Sequence, residues 1–149
     1  PSPVKEGDYL VTALAKQLAS GAVTLQFSDA QAAMVLSSDA LFGSGRASLE
    51  ELSRPVLAHI GQVLADWPHR PVVVTAHTDN VPIRSLQFPS NQALSAARAE
   101  AVADILRQQP GSRTDVRAKG RGDAEPLTDN ATPANRARNR RIEIRVPLR

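Results

Sequence analysis

The sequence predicts an α/β two-layer sandwich, a mixed sheet with helices on one face, extended at the N-terminal end by a further helix and a hairpin. Three observations carry this expectation. Segments of helical periodicity alternate along the chain with short strand-like runs. One of those runs, Val72-Val73-Val74, is continuously apolar, as a central strand buried on both faces requires. The 149 residues are 42% hydrophobic and include no cysteine, enough for one domain whose core needs no covalent staple.

Taken in order, Leu10, Leu14 and Leu18 recur every four residues between Gly7 and Leu18 with Val11 beside them, the stripe of an amphipathic helix that Gly21 stops. Pro1 to Gly7 reads as a frayed tail ahead of it. Val23 to Phe27 and Ala32 to Leu36 read as the strands of a hairpin linked by Ser28, Asp29 and Ala30. Phe42-Gly43-Ser44-Gly45 is a turn cluster. Ser48 with Glu51 three residues later predicts a capping box for a helix running to about Asp66, with Leu49, Leu52, Val56, Ile60, Val63 and Leu64 on its buried face. Trp67-Pro68 ends that helix, and Pro71 opens the Val72 strand.

Residues 79 to 91 hold Asn80, Pro82, Pro89 and Asn91, which predicts a long exposed loop. Ala93 to Gln109 is rich in helix formers and is closed by Pro110-Gly111. A right-handed crossover then leads from the Val72 strand through this helix to a short strand about Val116. Gly120 to Asn130 reads as another loop. Ile142, Ile144 and Val146 alternate with charged residues as a last strand.

The net charge of +3 is unevenly spread: residues 107 to 149 hold 11 Lys and Arg against 5 Asp and Glu. The basic run Asn135 to Arg141 would suit nucleic acid, but with 3% aromatic residues and no RNA-binding signature the expectation is no nucleic-acid partner. The lack of cysteine excludes thiol catalysis and thiolate metal sites. No run of about 18 apolar residues occurs. A start at Pro1 without Met or an apolar leader reads as a piece cut from a longer protein, any membrane anchor lying upstream.

The strongest candidate for chemistry is His77-Thr78-Asp79-Asn80, directly after the Val72 strand, because ligand sites in open α/β sheets lie at the carboxyl ends of strands. Spacing alone balances a ligand role for Thr78 and Asp79 against simple loop capping, and His77 by itself reads as structural. Leu94 and Arg98, four apart, share a helix face beside that loop. Ala99, Ala101 and Ala103 let this helix lie close to the sheet. Arg98 could pair with Asp79, or the two could hold a zwitterion between them, carboxylate to guanidinium and ammonium to carboxylate. A hydrolase set of His77, Asp79 and Ser85 or Ser90 lacks the G-x-S-x-G elbow. A metal site from His77, Asp79 and His59 or His69 lacks any metal-ligand spacing.

His77-Thr78-Asp79-Asn80, Asn91, Leu94-Ser95, Arg98-Ala99, Gly120, Gly122, Pro126, Asn130, Thr132, Arg136 and Asn139-Arg140-Arg141-Ile142-Glu143-Ile144 jointly resemble the OmpA C-terminal peptidoglycan-binding family, over Leu41 to Val146. Ala76 and Gln92 depart from its usual glycine and tryptophan. The resemblance implies a βαβαβ core in residues 41–149 behind an N-terminal extension in 1–40. It further implies noncovalent binding of the diaminopimelate of the peptidoglycan stem, without catalysis, cofactor or metal. Carried over, Asp79 and Arg98 would grip the ammonium and carboxylate, and Thr78, Asn80, Asn91, Leu94 and Arg140 would line or support the same cleft. The loop Val81 to Asn91 resembles two branches, the type VI secretion protein TssL and the flagellar stator protein MotB. Both imply a periplasmic domain anchoring an inner-membrane machine to the wall, in contact with other subunits of that complex. The alternative is an interaction module that forms a homodimer through the Leu10, Leu14 and Leu18 stripe or the sheet edge.

Overall fold

A computed structural model describes residues 3–83 and 85–148. Helices α1 (Pro3–Ala13) and α2 (Ala15–Ser20) run on from one another, since the Leu14 and Leu18 amides still donate to the carbonyls of Leu10 and Leu14. Leu10 and Leu14 are buried as expected, whereas Val11 is exposed. Gly21 ends the pair in the left-handed conformation, φ 81°. The expected tail is helical from Pro3 onward; Pro1 and Ser2 lie outside the described residues. Two histidines dock this helix: His59 Nε2 donates to the Ala13 carbonyl at 2.7 Å, and His69 Nε2 meets the buried Glu6 carboxylate at 2.7 Å. Tyr9 stacks on Trp67 beside them, centroids 6.4 Å apart.

Strands β1 (Thr24–Ser28) and β2 (Gln31–Ser37) form the expected hairpin, and a helical turn, α3 (Ser38–Leu41), follows. The helix expected from Ser48 starts later than its capping signature suggests. Phe42 and Leu49 pair as an antiparallel bridge, and Glu50 after it is extended, so the helix cannot start at Ser48. A 3-10 turn (Glu51–Ser53) comes next, and α4 (Arg54–Leu64) begins with Pro55 in its first turn. The Ser53 hydroxyl donates to the Glu50 carbonyl at 2.6 Å, and Ser48 caps nothing. Leu52 consequently stands 91% exposed, outside the core, and the buried face is Leu57, Ile60 and Leu64.

Strands β3 (Val72–His77), β4 (Val116–Gly120) and β5 (Arg141–Pro147) complete one five-stranded sheet ordered β1-β2-β5-β3-β4. β3 and β4 are parallel, joined across α5 (Asn91–Arg107), and the remaining pairs are antiparallel, so the sheet is mixed as expected. Val72, Val74 and Ala76 of β3 and Ile142, Ile144 and Val146 of β5 face α4 and α5 in one apolar cluster with Leu57, Ile60, Val102 and Leu106. α5 lies very close to β4: a Cβ on Gly120 would sit 2.3 Å from the Ala96 nitrogen, so only glycine fits there. The buried Ala99 and Ala103 belong to the same close approach.

Among the described residues the opposite face carries no helix, so β3 is covered by helices on one side only. Its outward residues are Val73, Thr75 and His77, flanked by Arg141, Glu143 and Arg145 of β5. Glu143 is buried there and accepts from Arg141 Nε at 2.6 Å and Arg145 Nη2 at 2.8 Å. Burial alone would raise its pKa, but the Arg141 hydrogen bond and the charges of Arg141 and Arg145 outweigh that and hold it below the ordinary glutamate value. A depressed carboxylate contributes stability above its unfolded pKa, about 4.3, and loses it as the pH falls through the folded value. Glu143→Gln is expected to cost about 3 kcal/mol at pH 7, because two guanidiniums lose their shared anion. Urea unfolding at pH 7 and pH 3 checks this: the gap between wild type and variant should shrink in acid.

Candidate functional site

The chain leaves β3 at Thr78 under tight control. The Thr78 amide donates to the Gly122 carbonyl at 2.8 Å, and its hydroxyl donates to the Asp79 carbonyl at 2.8 Å. Asp79, only 8% exposed, then folds its carboxylate back over the loop, where Oδ1 accepts from the Val81 amide at 3.0 Å. Asn91, the first residue of α5, donates through Nδ2 to the carbonyls of Val81, at 3.0 Å, and Asp79, at 3.4 Å. The loop expected over residues 79 to 91 is therefore present and tied at both ends; Arg84 within it lies outside the described residues.

Arg140, the residue just before β5, binds this strand exit from the other side. Its Nη1 donates to Asp79 Oδ2 at 2.6 Å, while Nε and Nη2 take both oxygens of Asp39 at 2.8 and 2.9 Å. Its hydrogen bonds to Asp39 and Asp79 raise its pKa above the ordinary arginine value against the opposing effect of burial, so it is a fixed cation. Arg98, 5% exposed, reaches in from α5. Its Nε donates to the Arg46 carbonyl at 2.8 Å and its Nη2 to the Gly43 carbonyl at 3.2 Å, with the guanidinium 5.0 Å from the Phe42 ring centroid. Burial lowers its pKa, Asp39 and Asp79 oppose the shift, and a guanidinium stays charged at any physiological pH.

These groups line one cleft of about 740 Å³. Of the residues that the sequence nominates, Thr78, Asp79, Asn91, Leu94, Arg98 and Arg140 all border it. Asn80 does not; its side chain is exposed outside the lining. Asp79 and Arg98 share the cleft without bonding to each other, since the near cation of Asp79 is Arg140. Arg98 Nη1 makes no hydrogen bond among the described residues. The cleft thus offers a carboxylate and a guanidinium edge, the arrangement that accepts a group bearing both charges. His77 is elsewhere, on the helix-free face with Nε2 4.0 Å from Glu143, so no His-Asp pair is assembled with Asp79.

Sequence reasoning missed Asp39, Phe42 and the carbonyls of Gly43 and Arg46. It also missed α6 (Pro133–Asn139), although Thr132-Pro133 carries a helix-start signal: the Thr132 side chain accepts from the Asn135 amide. α6 delivers Asn139, fully buried, whose Oδ1 accepts from the amides of Leu127 and Thr128 at 2.8 and 3.0 Å. Its Nδ2 donates to the Thr128 carbonyl and to Asn130 Oδ1, both at 2.9 Å. This one side chain orders the loop after β4 and fixes the place of the next residue, Arg140. Gln92 uses its amide to donate to the Gly120 carbonyl at 2.6 Å.

The OmpA family pattern matches residues 41–140. The chain belongs to the OmpA family. This OmpA-family chain is 35% identical over 106 residues to motility protein B of Bacillus subtilis, covering 70% of this chain and 41% of that protein. It is 35% identical over 105 residues to the peptidoglycan-binding protein ArfA of Mycobacterium tuberculosis, covering 70% of this chain and 31% of that one. It therefore spans less than half the length of these relatives. Among solved structures, the cell wall anchor of the T6SS from Pseudomonas aeruginosa superposes with a TM-score of 0.86 at 38% identity, covering 94% of this chain and 97% of that one. A MotB like protein from Desulfovibrio vulgaris gives a TM-score of 0.89 at 24% identity, covering 99% of this chain and 94% of that one, a likeness of fold. The resemblance read from the motifs and the mixed-sheet architecture are both borne out. No helix among the described residues is long and apolar enough to cross a membrane.

Asn139→Ala is expected to cost this OmpA-family domain about 3 kcal/mol, because buried donors and acceptors lose their partners. Hydrogen exchange should quicken at the Leu127 and Thr128 amides, where Asn139 now accepts, and stay slow within β3.

Proposed function

We propose that this chain binds peptidoglycan noncovalently and tethers a larger assembly to the cell wall. The observation that carries this reading is the pair of opposite charges in one cleft, Asp79 and Arg98, each held by its own protein partners and neither neutralising the other. The free end of a diaminopimelate side chain carries one ammonium and one carboxylate. The ammonium meets Asp79 and the carboxylate meets Nη1 of Arg98, which has no hydrogen bond among the described residues, both as charge-assisted hydrogen bonds. Thr78, Asn91 and Arg140 keep Asp79 in place, and Leu94 supplies an apolar wall. Two such contacts in an open cleft suit a dissociation constant on the order of micromolar to millimolar, made useful by several copies in one complex. Such a site holds its ligand and performs no reaction.

Several findings support the setting. The Mycobacterium tuberculosis relative is a peptidoglycan-binding protein, and the Pseudomonas aeruginosa neighbour is a T6SS cell wall anchor. The 38% identity to the latter favours a periplasmic domain of an inner-membrane type VI secretion complex, working beside other subunits of that complex. The likeness to motility protein B is what keeps a flagellar stator anchor as the second reading.

Cosedimentation with purified diaminopimelate-type sacculi tests the tether. Arg98 also braces the Phe42 to Arg46 turn, so Arg98→Lys, which keeps the charge and loses the fork, is the informative variant, together with Asp79→Asn. Each should weaken binding about tenfold or more while the thermal unfolding profile stays that of a folded domain. Undiminished binding by both variants would overturn the assignment of the site.

A further inference from the structure

The helix-free face of the sheet carries a second depression, of about 540 Å³, which shares no residue with the cleft. Thr75 and His77 of β3 form its floor. Lys119 and Arg121 wall it on the β4 side, Arg145 on the β5 side, and Glu125 also borders it. The register explains the shape: Thr75 lies between Lys119 of β4 and Glu143 of β5, and Val73 lies opposite Arg145. With strands about 4.8 Å apart, the two walls stand about 10 Å from one another across a floor of uncharged side chains.

Charge in this groove is unbalanced in a specific way. Arg145 is committed to Glu143 at 2.8 Å, and Arg121 lies 3.6 Å from Glu125. Lys119 is exposed and has no carboxylate partner among the described residues. The floor holds an unmet polar atom as well: His77 is 4% exposed, its Nδ1 is shielded from water, and it makes no hydrogen bond. Its Nε2 is 4.0 Å from Glu143, beyond hydrogen-bonding distance. Water satisfies the exposed lysine, but a purely solvated sheet face does not explain a buried imidazole nitrogen left without a partner.

We propose that this groove is a second ligand site, which takes one anionic group of the phosphate or carboxylate type. Lys119 supplies the uncommitted charge, Arg145 and Arg121 supply the surrounding positive field, and the Thr75 hydroxyl and the His77 ring supply neutral polar contacts from the floor. One free cation suits a single anionic group rather than a polyanion. Burial, and then the Arg141 charge, lower the His77 pKa, so the ring is neutral at pH 7 and serves as an oriented polar group rather than as a second cation. The groove is independent of the Asp79 cleft, and a ligand held here would give the domain a second point of attachment on the opposite side of its sheet.

The test is an NMR titration of the isotope-labelled chain at pH 7 and constant ionic strength, with inorganic phosphate in one arm and glucuronate in the other. The proposal predicts saturable shifts at the Thr75, His77 and Lys119 amides and at the His77 ring nitrogens, with the Thr78 and Arg98 amides unmoved. Response to phosphate alone identifies a phosphate ligand, response to glucuronate alone a carboxylate, and response to both their shared anionic chemistry. Lys119→Gln should weaken the saturating response at least tenfold, and Lys119→Arg should restore it. No saturable shift in either arm overturns the proposal. So does a response that survives Lys119→Gln, or one centred on Thr78 and Arg98.

Discussion

Arg140 is the joint on which the site depends. Its side chain spans three parts of the chain that are far apart in sequence: Asp39 behind the hairpin, Asp79 at the exit of β3, and its own position just before β5. A bidentate pair to one carboxylate and a single bond to another satisfy most of the guanidinium fork, and both aspartates lose freedom in return. Because Arg140 answers the charge of Asp79, Arg98 is left to be anchored by carbonyls on the far wall. Were Arg98 the partner of Asp79 instead, the cleft would close on an internal ion pair. Two separately braced charges leave it open.

That arrangement rests in turn on a sheet dressed differently on its two sides. The side facing α4 and α5 is apolar and packed closely enough to demand glycine at position 120, which fixes the height of α5 and with it the reach of Arg98. The other side is held by the buried Glu143 and its two arginines. A carboxylate shared by two guanidiniums keeps β5 in position without helical cover. The cleft opens at the end of the sheet where β3 and β5 meet, so both dressings act on it.

Much of this was legible in the residues. The Leu10, Leu14 and Leu18 stripe, the valine run and the alanine-rich helix are local patterns whose periodicity matches the element formed. The Ser48 and Glu51 signature misled because a local capping preference yielded to the pairing of Leu49 with Phe42. α6 escaped notice because a seven-residue helix of arginine, asparagine and alanine shows no apolar face. In the site, Asp79, Arg98 and Arg140 carried recognisable motif positions. Asp39 and the carbonyls of Gly43 and Arg46 did not, since a backbone acceptor has no side-chain signature and the Asp39 to Arg140 contact closes a loop of about a hundred residues. A motif can name the charged groups, and long-range folding decides which of them neutralise each other.

In the proposed function the cleft reads both charges of one zwitterionic end, Asp79 the ammonium and Arg98 the carboxylate. Calorimetric titration with a stem tripeptide bearing free diaminopimelate, against the same tripeptide with that side-chain carboxylate amidated, isolates the Arg98 half without altering the protein. Amidation removes the anion and leaves the ammonium, so affinity should fall about tenfold or more. Equal affinity for the two peptides would rule out Arg98 as the carboxylate contact.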